Sequence, residues 1–444
     1  MESLRELYRI GLGPSSSHTL APQTACRLFV KHYPEASFFE VTLFGSLALT
    51  GVGHATNDII IDTLAPKMCT IAFKVDYPGR FPNGLIIKGF DIYGNEVKSW
   101  TVYSLGGGSI DIDEEDLHLH DMVYPHQTMN NILSFCEDNR ISLADYAFRF
   151  DKDIKKYLNE VMQQMLKTVD NGLNNTGILP GKLKIVRVAK ALHLQATFMD
   201  DVINRQRLLL SAYAYAACEE NAAGKVCVAA PTMGASGVMA ALIYHYYHNV
   251  GISRHKLIKG LALAGIFGNL IKHNATISGA VGGCQAEIGT ACAMGSAMIA
   301  YFNGLSDKLI AYAAEIGIEH HLGLTCDPVG GYVIIPCIER NAVATLRTLD
   351  NAMLAEHVGM IKLNRVSFDD VVRTMKYTGM KLPLELRETS LGGLAIEVKI
   401  NDDEDIKAQE KVNDSSIDLL ATYRDLDDLI SKEDDDEDIF SFKL

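Results

Sequence analysis

The sequence predicts an α+β protein, with an N-terminal α/β domain over residues 1–150 and an all-α helical domain over 151–400. Three observations carry this. Runs rich in β-branched and aromatic residues, bounded by Gly, Pro, Asn and Asp, fall in the first third of the chain, and such runs are the mark of strands. Beyond residue 151 the chain turns to long stretches rich in Ala, Leu, Met and Gly with apolar residues at helical spacing. After residue 400 the texture changes again, to like-charge blocks at 402–405 and 433–438. Such blocks stay solvated, so 401–444 reads as an acidic, largely disordered tail.

In order along the chain, residues 10–19 form a polar loop that runs into an amphipathic helix with Ala21, Ala25, Leu28 and Phe29 on one face. Ser16 or Ser17 is the expected N-cap. Strands are expected over 37–43, 70–75, 84–91 and 97–105, the last ending in Gly106, Gly107 and Gly108. A helix over 128–137 closes the domain. The helical half reads as helices over 151–171, 197–221, 235–248, 254–272, 285–302, 307–319, 339–357 and 368–376. Small residues from Ala286 to Ala297 suit close helix packing in a buried bundle. In the tail, Leu419, Tyr423, Leu426 and Ile430 follow helical spacing, the pattern of one short helix docking on its own body.

A chain of 444 residues holds two or three domains. Its hydrophobic fraction of 48% and charged fraction of 22% are those of a globular protein. A net charge of −14 argues against non-specific nucleic-acid binding, which needs a basic surface. The first residues lack a signal-peptide core, and no apolar run reaches the roughly 18 residues of a membrane span. Nine cysteines, an odd number scattered through helical segments, fit a reducing compartment. A cytoplasmic protein with no membrane and no nucleic-acid partner is expected.

Three cysteines stand apart from the others. Cys284 follows Gly282 and Gly283, Cys326 precedes Asp327-Pro328, and Cys337 follows Pro336. Glycine lets a backbone approach a bulky group, and the prolines place two of these cysteines at turns. Thiolates converging from turns suit iron–sulfur or zinc, and three ligands in place of four would leave one metal position open. Small buried hydrophobes are the alternative, since the spacing matches no standard metal signature. The second candidate site is the run Ser15, Ser16, Ser17, His18 and Thr19. Free N–H groups at a helix start, hydroxyls and an imidazole together suit a carboxylate or phosphate. A Ser-rich capping loop explains it equally.

The contexts GCQ, LTCDP and IPCIERN of the three cysteines resemble the iron–sulfur L-serine dehydratases (L-serine ammonia-lyases), with Ile335 in place of that family's Val. GPSSSHT at 13–19, FGSLALT at 44–50 with Gly53-His54, and PNG at 82–84 extend the resemblance. So do YSLGGG at 103–108, GILPG at 177–181, NAAG at 221–224, APTMGA at 230–235 and RETSLGGLA at 387–395. It runs collinearly from about residue 10 to 396, through a β-domain and an α-domain in one chain. The resemblance implies a [4Fe–4S] cluster on Cys284, Cys326 and Cys337, no pyridoxal phosphate, a homodimer, and deamination of L-serine to pyruvate and ammonia. It makes Ser15, Ser16, Ser17, His18, Thr19, Thr232 and Ser278 substrate-pocket candidates. Lys272, His18 and His54 are candidates for the base, and Glu287 for a group that orients ligands.

Three departures stand out. Met233 replaces an Asn of the family pattern, Val281 replaces a Glu, and no cysteine follows Cys337, whereas some members end in one that covers the open iron. The first two keep open the same chemistry on another small β-substituted amino acid such as threonine. A non-catalytic cluster-based sensor is the alternative from another class. The third implies that a self-inhibited resting state, visible as a lag in progress curves, is absent.

Overall fold

In the computed structural model, which describes residues 1–75, 79–117, 119–120 and 122–400, the chain begins inside its helical half. Met1, Leu4, Leu7 and Tyr8 are buried among helices contributed from beyond residue 129. Strand β1 (Arg9–Leu12) then leads to helix α1 (Ala21–His32). Next come β2 (Phe38–Gly45), the short α2 (Ser46–Leu49), α3 (Thr56–Leu64), β3 (Met68–Lys74), β4 (Asn83–Phe90), β5 (Glu96–Gly106) and β6 (Ser109–Ile112). The last five strands form one sheet in the order β3-β2-β4-β5-β6, with β2 and β3 parallel and the other pairs antiparallel. Along β2, Phe39, Val41 and Leu43 are buried and alternate with more exposed neighbours, as a one-sided sheet requires. Phe29 of α1 meets Trp100 of β5 edge-on, with ring centroids 4.9 Å apart, at the centre of this smaller core.

The helical half comprises α4 (Met129–Asn139), α5 (Leu143–Phe150), α6 (Ile154–Asn174), α7 (Ala189–Thr197), α8 (Val202–Ala222), α9 (Ser236–His248), α10 (Arg254–Asn274), α11 (Gly279–Gly282), α12 (Thr290–Phe302), α13 (Asp307–Glu319), α14 (Cys337–Gly359), α15 (Phe368–Lys381) and α16 (Leu394–Glu397). Helix α12 is buried almost all round, as its apolar sequence demands, and α10 is buried along its apolar middle from Leu257 to Ile271 between charged ends. Gly295 is needed there: a methyl group on it would stand 2.7 Å from Leu242 and from Thr348.

Most expected elements form, with shifts of a few residues at their ends. Four features differ. The half expected to be all-α carries one strand, β7 (Val226–Ala229), which pairs antiparallel with β1 so that Ile10 faces Val228. Four residues are too few to show a period in the sequence, and the partner lies more than 200 positions away. The helix expected over 285–302 opens with a π turn at Gln285–Gly289 before α12 begins. Strands β1 and β6 and helices α2, α3, α5, α7, α11 and α16 were not anticipated, β1 falling in the stretch expected as a polar loop. Within the stretch expected as one α/β unit, residues 129–150 send Met129, Ile132, Leu143 and Tyr146 into the helical core. The expected tail at 401–444 lies outside the described residues. No helix among the described residues is long and apolar enough to cross a membrane.

Candidate active site

Four chain segments of the helical half and two of the sheet half meet around one small buried cavity. Its wall includes Ser15, His54, Glu287, Glu388 and the three cysteines Cys284, Cys326 and Cys337. Cys284 is placed by Gly283, whose φ of +71° disfavours a side chain and where a Cβ would stand 2.7 Å from Leu324 O. Cys326 lies on an extended segment: its N–H donates to Leu386 O (2.8 Å), and its carbonyl accepts from Glu388 N–H (2.7 Å). Cys337 is the first residue of α14, at the positive end of that helix's dipole, which favours an anionic sulfur. One turn on, Arg340 donates to Thr325 O (2.6 Å) and Asp327 Oδ1 (3.2 Å), tying the Cys326 segment to the Cys337 helix.

All three cysteines are free thiols. The ligand atoms of Cys284, Glu287 and Cys326 lie within 4.8 Å of one another. The adjacent Cys284 sulfur, with burial, pushes the Cys326 thiol far above its ordinary range, and burial beside Cys284 does the same to Cys337. Sulfurs crowded this way ionise together only around a cation. The donor set thus fits an iron–sulfur cluster, which takes thiolates. Thr232 donates to Glu287 Oε1 (2.8 Å), while Glu287 Oε2 stands 3.9 Å from Cys326 Sγ. Burial pushes the Glu287 carboxyl up to about 6.

The opposite wall comes from the sheet half. Ser15 precedes a π turn at Ser16–Leu20 that runs straight into α1, so α1 and α12 both begin from a π turn beside the cavity. His18 is fully buried and stacks on His54, with centroids 4.2 Å apart. Thr50 Oγ1 donates to Ser46 O (2.8 Å) and so accepts from His18 Nε2 (2.9 Å). His18 Nδ1 is left to accept from Ser17 Oγ (2.9 Å). His54 Nδ1–H donates to Thr50 O (2.9 Å), which leaves the lone pair on its Nε2. Burial holds the His54 imidazole down at about 4, hence neutral.

The matches to known proteins follow the same division of the chain. Residues 3–77 match the family described as serine dehydratase beta chain, and 91–395 match serine dehydratase alpha chain. The chain belongs to the serine dehydratase family. It is 38% identical to L-serine dehydratase 1 of Escherichia coli, over 90% of this chain and 100% of that one. It is also 35% identical to the L-serine dehydratase of Streptomyces coelicolor, over 89% and 99%, and 33% identical to that of Helicobacter pylori, over 89% and 99%.

In this serine dehydratase family member, Ser15, His54, Cys284, Cys326 and Cys337 come together as expected candidates. Ser16, Ser17, His18 and Thr232 stand directly behind them. Ser16 Oγ accepts from Met233 N–H (3.4 Å). The other candidates lie apart. Thr19 spends its hydroxyl on Leu12 O (2.8 Å) and Ser15 O (2.6 Å), holding the loop. The Ser278 hydroxyl is buried beneath Gly106 with no hydrogen-bond partner among the described residues. Lys272, expected as a base, is corrected: it is salt-bridged to Glu2 and donates to Glu6 O (3.1 Å) and Ser109 Oγ (2.9 Å). It lines a different cavity, because α10 carries it toward the chain's N-terminus.

The two departures in sequence also resolve. Met233 turns from the cavity into a small cluster with Leu20, Cys227 and Ala229. Val281 is not among the residues lining the cavity, and its carbonyl accepts from Arg387 Nη1 (3.4 Å). Glu388 was not singled out, although its stretch carried the resemblance. Its signal is the carboxylate in RETS, 51 positions beyond Cys337 and brought back by pairing with Cys326.

Proposed function

We propose that this chain deaminates L-serine to pyruvate and ammonia, with an iron–sulfur cluster on Cys284, Cys326 and Cys337. The observation that supports it most is the meeting of these three thiols with Ser15 and His54 in one buried cavity. A [4Fe–4S] cluster held by three cysteines has one iron free of protein ligands, and when bound it supplies Lewis acidity for departure of the hydroxyl.

The chain's own groups do the remaining work. The Ser15 hydroxyl and the first-turn N–H groups behind it hold the substrate carboxylate. His54 Nε2 takes the α-proton, since its lone pair is free and its ring is fixed by Thr50 and the His18 stack. The electron pair of the broken Cα–H bond becomes the Cα=Cβ bond. The Cβ–O bond breaks, and the hydroxyl leaves with its pair, taking the proton that His54 removed and departing as water. Aminoacrylate then tautomerises to the imine and hydrolyses, releasing ammonia and pyruvate. His18, hydrogen-bonded at both nitrogens, acts as a positioning residue for His54. Thr232 fixes the Glu287 carboxylate beside Cys326.

Anaerobic reconstitution with iron and sulfide, followed by assay of keto acid from L-serine before and after air, tests this. Pyruvate formation lost together with the cluster's visible absorbance is expected. A chain that takes up no iron and sulfide would overturn the reading.

A further inference from the structure

Glu388 is 4% exposed and lines the cavity. Its Oε2 is buried and makes no hydrogen bond to the described residues. Its Oε1 stands 3.7 Å from His18 Nδ1, an atom already engaged by Ser17. No Lys or Arg is among the cavity-lining residues. Burial beside Glu287 and Cys284 disfavours charge on this carboxyl until a cation arrives to offset it. Its backbone is also held on purpose. Glu388 adopts φ +59°, the left-handed region unusual for a residue with a Cβ. Its N–H donates to Cys326 O (2.7 Å), and its carbonyl accepts from Ser46 Oγ (2.6 Å). One anchor belongs to the cysteine side of the cavity, the other to the histidine side.

We infer that Glu388 takes the α-ammonium group of the substrate and so makes the site specific for amino acids over hydroxy acids. The inference rests on the proposed dehydratase reading. With the carboxylate at the Ser15 turn and the ammonium at Glu388, two substituents of the α-carbon are fixed. The remaining C–H and the β-carbon are then divided between His54 and the cysteines. Glu388 acts by binding and takes no proton.

L-alanine and L-lactate test this on the reconstituted holoenzyme. Neither carries a β-hydroxyl, and they differ only in ammonium against hydroxyl. The wild-type protein is expected to bind alanine about 30-fold or more tightly than lactate, measured by calorimetry and by competition with L-serine. In E388Q that preference falls toward unity through loss of alanine affinity, and KM for L-serine rises by a similar factor while kcat changes less. E388D restores part of the preference. Equal binding of alanine and lactate by wild type overturns the inference whether or not any variant folds. So does an E388Q protein that keeps the preference but loses kcat with a shifted pH profile, the result of a carboxylate that merely orients His18. Failure of the wild type to form pyruvate while preferring alanine would instead count against the dehydratase reading alone.

Discussion

At the residue scale the cysteines divide by surroundings. Cys284, Cys326 and Cys337 face a cavity, whereas Cys292 is packed inside α12 with its thiol 3.6 Å from Ala344 O. Alanine at any of the first three is expected to abolish iron loading and lower pyruvate formation by about 100-fold or more, with helical circular dichroism kept. Alanine at Cys292 should leave both within about threefold, as read from visible absorbance and steady-state rates. Lys272 makes the opposite case. Because it is paired with Glu2 away from the cavity, K272M is expected to keep kcat within about threefold. It should cost about 1–3 kcal/mol in denaturant unfolding, since Glu2 is left half-buried without its cation.

At the element scale the site depends on turns that hold cysteines at set angles. Gly283 is the tightest of them, with φ +71° and Leu324 O in the place of a Cβ. G283A is expected to cost about 1–3 kcal/mol. It should also lower iron content per chain more than a surface change of equal cost, as read by thermal melting and metal analysis. The β1–β7 pair has a different task. It clips the start of the chain to the strand that leads into Thr232 and Met233, and so sets the Ser15 turn against the cysteine side.

For the whole molecule, buried titratable groups set how stability follows pH. Burial pushes the Glu219 carboxyl up to about 7 from an ordinary 4.5, although Val188 and Ala189 N–H groups donate to it. The folded state holds that proton more tightly than the unfolded chain. Its contribution is therefore complete below about pH 4.5 and is lost as pH rises through about 7. E219Q is expected to match wild type near pH 5 and to exceed it by about 2 kcal/mol near pH 8. His321 works in the other direction. Burial lowers its ring to about 4 from 6.5, so its contribution stands above about 6.5 and disappears as pH falls through about 4. H321N should flatten the acid limb of the melting curve, measured against wild type across the same range.

The sequence by itself determined the α+β division, the long helices and the three cysteines that line the cavity, because periodicity, glycine placement and local motif are short-range properties. It also named Ser15 and His54, whose motifs stand in the chain as they stand in the family pattern. Tertiary structure alone decided which of the named groups share a cavity. Lys272 is six residues before Ser278, yet the direction of α10 carries it to Glu2. Glu388 is 104 residues beyond Cys284, yet parallel pairing of Arg387 with Cys326 returns it to the sulfurs. Met233 occupies a site-motif position but packs into an apolar cluster. Side-chain direction and long-range pairing arise from packing over the whole chain, and no local window of sequence contains them.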